Sequence, residues 1–172
     1  VPVVGVIEPG ARSAVGTTRS GTIGVIGTEG TVRSGAHQKA IATLNDAMTV
    51  HAQACPLFVG FAEEGLDQHP AALLMARDYL APLLAQSIDT LILGCTHYPV
   101  LTRTIAKVAG PGVALIDPGI GTAMMAQSIL TELDLLNQSK GQPRYEYYLS
   151  DLPHKFVQIG ERFLGRSFDH VH

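Results

Sequence analysis

The stretch LILGCTHYPVL, residues 91–101, places a thiol, a hydroxyl and an imidazole side by side as Cys95, Thr96 and His97. An apolar run ends in Gly94 just before them, and Pro99 restarts the chain as a helix. A cysteine at such a strand end feels the positive end of the following helix and the neighbouring imidazole, and both favour the thiolate. Thr96 adds a hydroxyl, and the backbone N–H groups of the turn suit a carboxylate. The same residues admit plainer chemistry, because a single cysteine is most often a small buried hydrophobe. A metal site is poorly supported: Cys95 and His97 form only a C-x-H pair, and neither CxxC nor HxxxH occurs to complete a tetrahedral set. A cysteine hydrolase would want a glycine-rich elbow around its nucleophile, where Thr96 and His97 stand instead.

Two further constellations carry candidate chemistry. In GVIGTEGTVRSG, residues 24–35, a strand ends in glycine and Thr28, Gly30 and Thr31 form a loop before a helix. Small hydroxyl residues with free N–H groups there suit a carboxylate or phosphate, but helix capping by Thr31 is the simpler explanation. In CPLFVGFAEEGLD, residues 55–67, Glu63 and Glu64 follow a short apolar loop. Either is a solvated surface charge unless the fold carries it to His97, where it would orient or charge the imidazole. The other six histidines are scattered, with His170 and His172 closing the chain as a frayed H-x-H tail. None of the four lysines sits in a setting that argues for a Schiff-base cofactor.

These residues need elements to hold them. The 172 residues are 46% hydrophobic and 16% charged, which suits a globular chain with a sizeable core. A formal charge of −3 without like-charge blocks argues against nucleic acid or an anionic membrane surface as partner. No apolar run reaches the ~18 residues of a membrane span, and the first residues lack the pattern of a signal peptide. Two cysteines, Cys55 and Cys95, fit a reducing cytoplasm. Because the chain opens at Val1 within a strand-like segment, a truncated or processed chain is expected.

Short apolar runs predict strands over Val3–Ile7, Thr22–Ile26, Thr49–Ala54, Thr90–Leu93, Val113–Ile116 and Tyr145–Leu149. Helical spacing predicts helices over Pro9–Val15, Gly35–Asp46, Pro70–Gln86, Pro99–Val108, Pro118–Leu136 and Pro153–Phe163. Leu73, Leu80, Leu83 and Leu84 form the apolar stripe of the third helix, which Pro82 should kink or split. The alternation defines an α/β fold with a mostly parallel sheet covered by helices on both faces. In VIEPGA, CTHYPV and LIDPGI a proline just after a strand falls in a helix's first turn, where its missing N–H is not needed.

Taken together, GVIGTEGTVRSGA, ACPLFV…AEEG and LILGCTHYPVL resemble the bacterial glutamate racemase family, as do VPVVGVIEPGA, LIDPG and YYLSDLPHKFVQIGERFLG. The resemblance covers essentially the whole chain. It implies a cofactor-independent proton transfer at the α-carbon of glutamate, a small-molecule substrate, between two cysteines on opposite faces. It implies catalytic roles for Cys95, for His97 as its acid/base partner and for Glu63 beside the histidine. Thr96, His97, Thr31 and Thr28 match substrate-binding positions, with no metal, and Cys55 has no catalytic counterpart. It also implies a cytoplasmic enzyme that supplies D-glutamate for peptidoglycan, and allows a homodimer. The family's first cysteine lies in a CNTA-like motif after a DSGxGG segment, and neither occurs in this sequence. The chain is thus expected to be the C-terminal two-thirds of such an enzyme, short of its N-terminal half and of full activity. Residues 1–116 would be the second α/β domain, with 117–172 returning to the first. His37 stands where the family pattern has a tyrosine, and Gly60–Phe61 replaces Pro-Leu. Two other readings stay open: a non-catalytic carboxylate- or phosphate-binding α/β domain, and a racemase for another amino acid such as aspartate.

Overall fold

Four strands, β1 (Thr22–Gly27), β2 (Thr49–Ala54), β3 (Thr90–Leu93) and β4 (Ala114–Ile116), form one sheet in the order β2-β1-β3-β4. All three pairings are parallel, and Gly27 lies opposite Ala54 while Ile26 lies opposite Leu93. The carboxyl ends of the three strands that lead into the candidate residues therefore line up. The computed structural model describes residues 2–139, 141–150, 153–167 and 171. The helices are α1 (Ile7–Thr17), α2 (Glu29–Ser34), α3 (Ala36–Leu44), α4 (Leu57–Glu63), α5 (Pro70–Leu84), α6 (Thr102–Ala109), α7 (Pro118–Glu132) and α8 (Pro153–Leu164). A 3-10 turn over Tyr98–Leu101 precedes α6.

Strand alternation divides the apolar side chains between two cores. Ile23, Val25 and Ile92 pack with Ala11, Ala14 and Ile41 of α1 and α3. Ile26, Leu91 and Leu93 face the other way, onto Phe58, Ala76, Leu80 and Ile105 of α4, α5 and α6. Both sheet faces are thus covered, which is why β1 and β3 read as continuous apolar runs. Pro118, at the start of α7, lies 3.0 Å from where a β-carbon on Gly10 would be, so the two helices meet at a residue without a side chain.

Several expectations are corrected. Residues 3–6 are not a strand: they line an apolar groove with Ala40, Met125 and Ile129, and α1 already begins at Ile7. Pro9 is the third residue of that helix, within the turn that tolerates proline. Tyr145–Leu149 makes only one isolated bridge, Tyr147 to Val171, because no sheet edge among the described residues lies beside it. Pro82 does not split α5, since it falls in the last turn, where only one carbonyl loses its partner. Of the expected stripe in α5, Leu80 and Leu83 are buried and Leu84 packs at the core's edge, while Ala72 and Ala76 rather than Leu73 complete the buried face. The alanines let the helix approach closely, so its inner face extends beyond the leucine pattern. Two short helices, α2 and α4, were unforeseen. His170 and His172 lie outside the described residues.

One polar cluster locks the base of the sheet. Asp89 accepts hydrogen bonds from the Thr18 and Thr90 hydroxyls at 2.6 and 3.0 Å and from the Arg19 and Ser20 N–H groups, both at 2.7 Å. Desolvation pushes its carboxyl up, but these four donors outweigh it and hold the group well below the ordinary aspartate range. A depressed folded-state value stabilises the protein above the unfolded aspartate value and loses that contribution as pH falls. Asp89→Asn should therefore cost about 1–2 kcal/mol at neutral pH. Urea unfolding of variant and wild type should show the gap narrowing below about pH 4.

Candidate active site

The chain leaves β1 toward β2 on one side and returns past it to β3 and β4 on the other. The crevice between the carboxyl ends of β1 and β3 is therefore the switch point at which open α/β sheets bind ligands. Thr28 follows β1 there, and Gly94, Cys95, Thr96 and His97 follow β3. A β-carbon on Gly27 would lie 2.9 Å from the Thr31 methyl and 3.4 Å from the Gly94 carbonyl oxygen, so the threonine loop and the cysteine loop share one floor.

Two contacts fix the cysteine loop. The Gly94 N–H donates to the Ile26 carbonyl at 2.7 Å, extending the ladder one residue past β3. Tyr98, fully buried, donates its O–H to the Cys55 carbonyl at 2.8 Å and stacks edge-to-face on Phe58 at 5.4 Å. The three residues between 94 and 98 thus hang from two anchored points. Phe58 also meets Tyr79 edge-on at 5.3 Å, which ties α4 and α5 into the same aromatic cluster.

Within this frame Cys95 Sγ lies 3.8 Å from His97 Nδ1, and Thr96 Oγ1 lies 3.5 Å from the same nitrogen. On the far side of the ring, His97 Nε2 is 3.3 Å from Glu63 Oε1. Glu63 reaches it because LFVGFAE forms a helix with Phe58 and Ala62 buried four residues apart, not the expected loop. With Nε2–H donated to the carboxylate, Nδ1 keeps its lone pair toward the thiol, which is the arrangement of nucleophile or base, imidazole and orienting carboxylate. Both ring and carboxylate are partly exposed, so the pair positions the ring more than it stabilises the fold.

The threonine loop is a helix cap. Thr28 Oγ1 accepts the Thr31 N–H at 3.3 Å and lies 3.1 Å from the Thr31 hydroxyl, so Thr28 rather than Thr31 is the capping residue. Gly35, with φ of 61°, ends α2 and lets α3 begin at once. His37, read among the scattered histidines, is buried on α3 with its ring 3.2 Å from where a β-carbon on Gly94 would be. Burial lowers its affinity for a proton, and neither ring nitrogen has a hydrogen-bond partner among the described residues. Gly60 lies within α4 with open space around it, and Phe61 packs at the edge of the core.

The thiols differ from expectation in one respect. Half-burial pushes Cys95 above the ordinary cysteine range, and the His97 and Tyr98 N–H groups pull it back only in part. The turn after it is a short 3-10 segment, so the expected help from a long helix is weak. Cys55 is fully buried, its S–H faces the Gln53 carbonyl at 3.6 Å, and burial pushes it up to about 12. Iodoacetamide should therefore label Cys95 with a rate that climbs past pH 9 and leave Cys55 untouched until the chain unfolds. Peptide mapping by mass spectrometry after timed labelling between pH 7 and 10 checks both statements.

Sequence reasoning missed the contribution of α8. Arg162 Nη1 donates to the Glu63 carbonyl at 2.9 Å, and the Phe163 ring meets the His97 ring edge-on at 5.6 Å. The signal was the closing segment QIGERFLG, which matched the family pattern without suggesting a role. Among the described residues, no group of three or more His, Cys, Asp and Glu side chains could hold a metal ion, and no helix is long and apolar enough to cross a membrane.

A parallel α/β sheet that brings a cysteine, an imidazole and a carboxylate into contact at its switch point, beside a threonine loop, is a candidate acid–base site. The Asp/Glu/Hydantoin racemase family matches residues 1–126, and the chain belongs to that family. A glutamate racemase of Geobacter metallireducens is 49% identical over all 172 residues, which cover 64% of that protein. One of Syntrophus aciditrophicus is 46% identical over 99% of this chain and 63% of its own length. The crystal structure of glutamate racemase isoform RacE1 from Bacillus anthracis superposes with a TM-score of 0.93 at 38% identity, over 100% of this chain and 64% of that one. The Francisella tularensis glutamate racemase, in complex with D-glutamate, gives 0.91 at 38%, over 100% of this chain and 63% of that one. The chain thus spans a little under two-thirds of the length of these relatives.

Proposed function

We propose that this chain is the Cys95-bearing part of a glutamate racemase, an isomerase that interconverts L- and D-glutamate without a cofactor. The observation that carries the reading is the Cys95–His97–Glu63 line at the β1/β3 switch point. In the proposed reaction the Cys95 S–H proton passes to His97 Nδ1, and Glu63 stabilises the imidazolium through Nε2–H. The thiolate then takes the α-proton of one enantiomer, leaving the electron pair on the α-carbon, and a second acid returns a proton to the opposite face. Thr96, Thr28 and Thr31 offer hydroxyls to the substrate's carboxylates.

Inversion at one carbon needs an acid and a base on opposite faces, and Cys55 is walled off in the core. We therefore assign the second base to polypeptide outside these 172 residues. Residues 1–116 form the Cys95 domain, and 117–172 belong with that second part. The exposure of Ile120 and Met124 on α7 supports this division, since both await cover. The enzyme would work in the cytoplasm and supply D-glutamate for peptidoglycan.

The test follows α-proton exchange of D- and L-glutamate in heavy water by NMR. The chain alone should exchange one enantiomer slowly and interconvert neither. Full interconversion by the 172 residues would overturn the assignment of the second base, and exchange of aspartate with none of glutamate would overturn the substrate.

A further inference from the structure

Helix α8 places two consecutive residues on the two ends of the imidazole–carboxylate pair. Arg162 holds the Glu63 backbone through the 2.9 Å bond to its carbonyl. Its guanidinium also fills the space beside Gly65, where a β-carbon would lie 2.7 Å from Cζ and 2.8 Å from Nη1. Gly65 has φ of 69°, a left-handed conformation that favours glycine at the end of α4. Phe163 stands edge-on to His97, at 5.6 Å and 87°. Successive helical residues point ~100° apart, which lets neighbours on one helix straddle a pair of groups.

Ordinary packing does not account for this placement. Phe163 is 38% exposed, so it contributes little to a core, and the ring it meets is His97 rather than an aliphatic cluster. Arg162 is exposed as well, and its bond crosses 99 positions of sequence to the residue that orients the imidazole. The contact with the Glu63 carbonyl caps the carboxyl end of α4, where a cation is favoured.

We infer that Arg162 and Phe163 are positioning residues that hold Glu63 and His97 in register with Cys95, so that the catalytic line is complete only with α8 docked. Arg162 fixes the backbone from which the Glu63 carboxylate reaches Nε2. Phe163 restricts rotation of the imidazole and keeps Nδ1 on the thiol. This inference rests on the proposed role of His97 as the proton partner of Cys95.

The experiment measures iodoacetamide labelling of Cys95 at pH 8 and pH 10 and takes the ratio of the two rates, which cancels changes in access. Hydroxide takes a larger share of the deprotonation at pH 10 than at pH 8, so the ratio weighs the help from His97. His97→Asn sets the value without that help. Phe163→Leu and Arg162→Gln should each lower the ratio roughly threefold to tenfold, the size of an aromatic edge contact or one charged hydrogen bond. Phe163→Tyr and Arg162→Lys, which keep the ring and the donor, should restore it to within about twofold. If Arg162→Gln loses its folded state, Phe163→Leu against Phe163→Tyr decides alone. Ratios equal to wild type in Phe163→Leu and Arg162→Gln, with His97→Asn lowered, overturn the inference and leave the proposed function intact. A wild-type ratio in His97→Asn overturns the assigned role of His97 and the inference with it.

Discussion

Replacing Gly94 by alanine should destabilise the chain by about 3 kcal/mol, the upper part of the range for forcing atoms into a packed interior, and displace the cysteine loop. The added β-carbon would sit 2.8 Å from the Ile26 carbonyl oxygen and 3.2 Å from His37 Cε1. The first of these is backbone in the central strand, already bonded to the Gly94 N–H at 2.7 Å, and it has no rotamer by which to yield. Either β3 slides along β1 or the Gly94 bond breaks, and both move Cys95. A shift of about 1 Å at a reacting group costs on the order of 10²-fold in rate. Chemical denaturation reads the stability term and Cys95 labelling reads the displacement. A Gly94→Ala chain as stable as wild type, with the same labelling profile, would show that the strand ends are softer than this packing implies.

The second large effect is at the thiol. Cys95→Ser should reduce α-proton exchange of glutamate on the order of 10²–10⁴-fold, the contribution of one positioned acid or base. Serine keeps the size and a hydrogen bond to His97 Nδ1, but its hydroxyl does not ionise within reach of neutral pH. The fold should be indifferent, because Cys95 packs only at the edge of its core cluster. Glutamate binding, followed by ligand-observed NMR, should change by less than about threefold, since the proposed carboxylate contacts come from Thr28, Thr31 and Thr96. Exchange that survives Cys95→Ser would reassign the base.

These two substitutions mark different levels of the molecule. Gly94 acts through packing: a missing side chain lets two strand ends, a buried histidine and the cysteine loop meet. Cys95 acts through chemistry, and half-burial leaves its thiol protonated until a neighbour takes the proton. The position of His97 and the third-party hold on it from Glu63 and α8 therefore matter more than a lowered thiol pKa, which the turn after Cys95 does not supply.

The central strands were legible because their period and composition have one physical solution. TIGVIG and TLIL are apolar on both faces, and only a parallel sheet covered twice by helices buries such runs. The Cys-Thr-His triplet was legible as chemistry because a glycine followed by a thiol, a hydroxyl and an imidazole is poor material for a core. Length alone hid α2 and α4: six and seven residues give too few turns for a period to show. The segments at 3–7 and 145–149 have strand-like composition, but a strand exists only where an edge offers hydrogen bonds, and that is not a local property.

The sequence by itself determined the α/β class, the positions of β1 to β4 along the chain, and the identity of the thiol, hydroxyls and imidazole at the strand ends. These follow from local periodicity, turn chemistry and side-chain type, which act over a few residues. The family resemblance implied Glu63 beside His97, but only the tertiary structure showed the helix that carries it there, that His37 is buried under Gly94, and that Arg162 and Phe163 grip the pair from α8. Each of these contacts joins segments tens of residues apart, and their distances depend on how helices of given lengths settle on a twisted sheet. Tertiary structure also decided the state of the thiols, because burial is a sum over the whole fold and two cysteines of one chemical type ended in different surroundings.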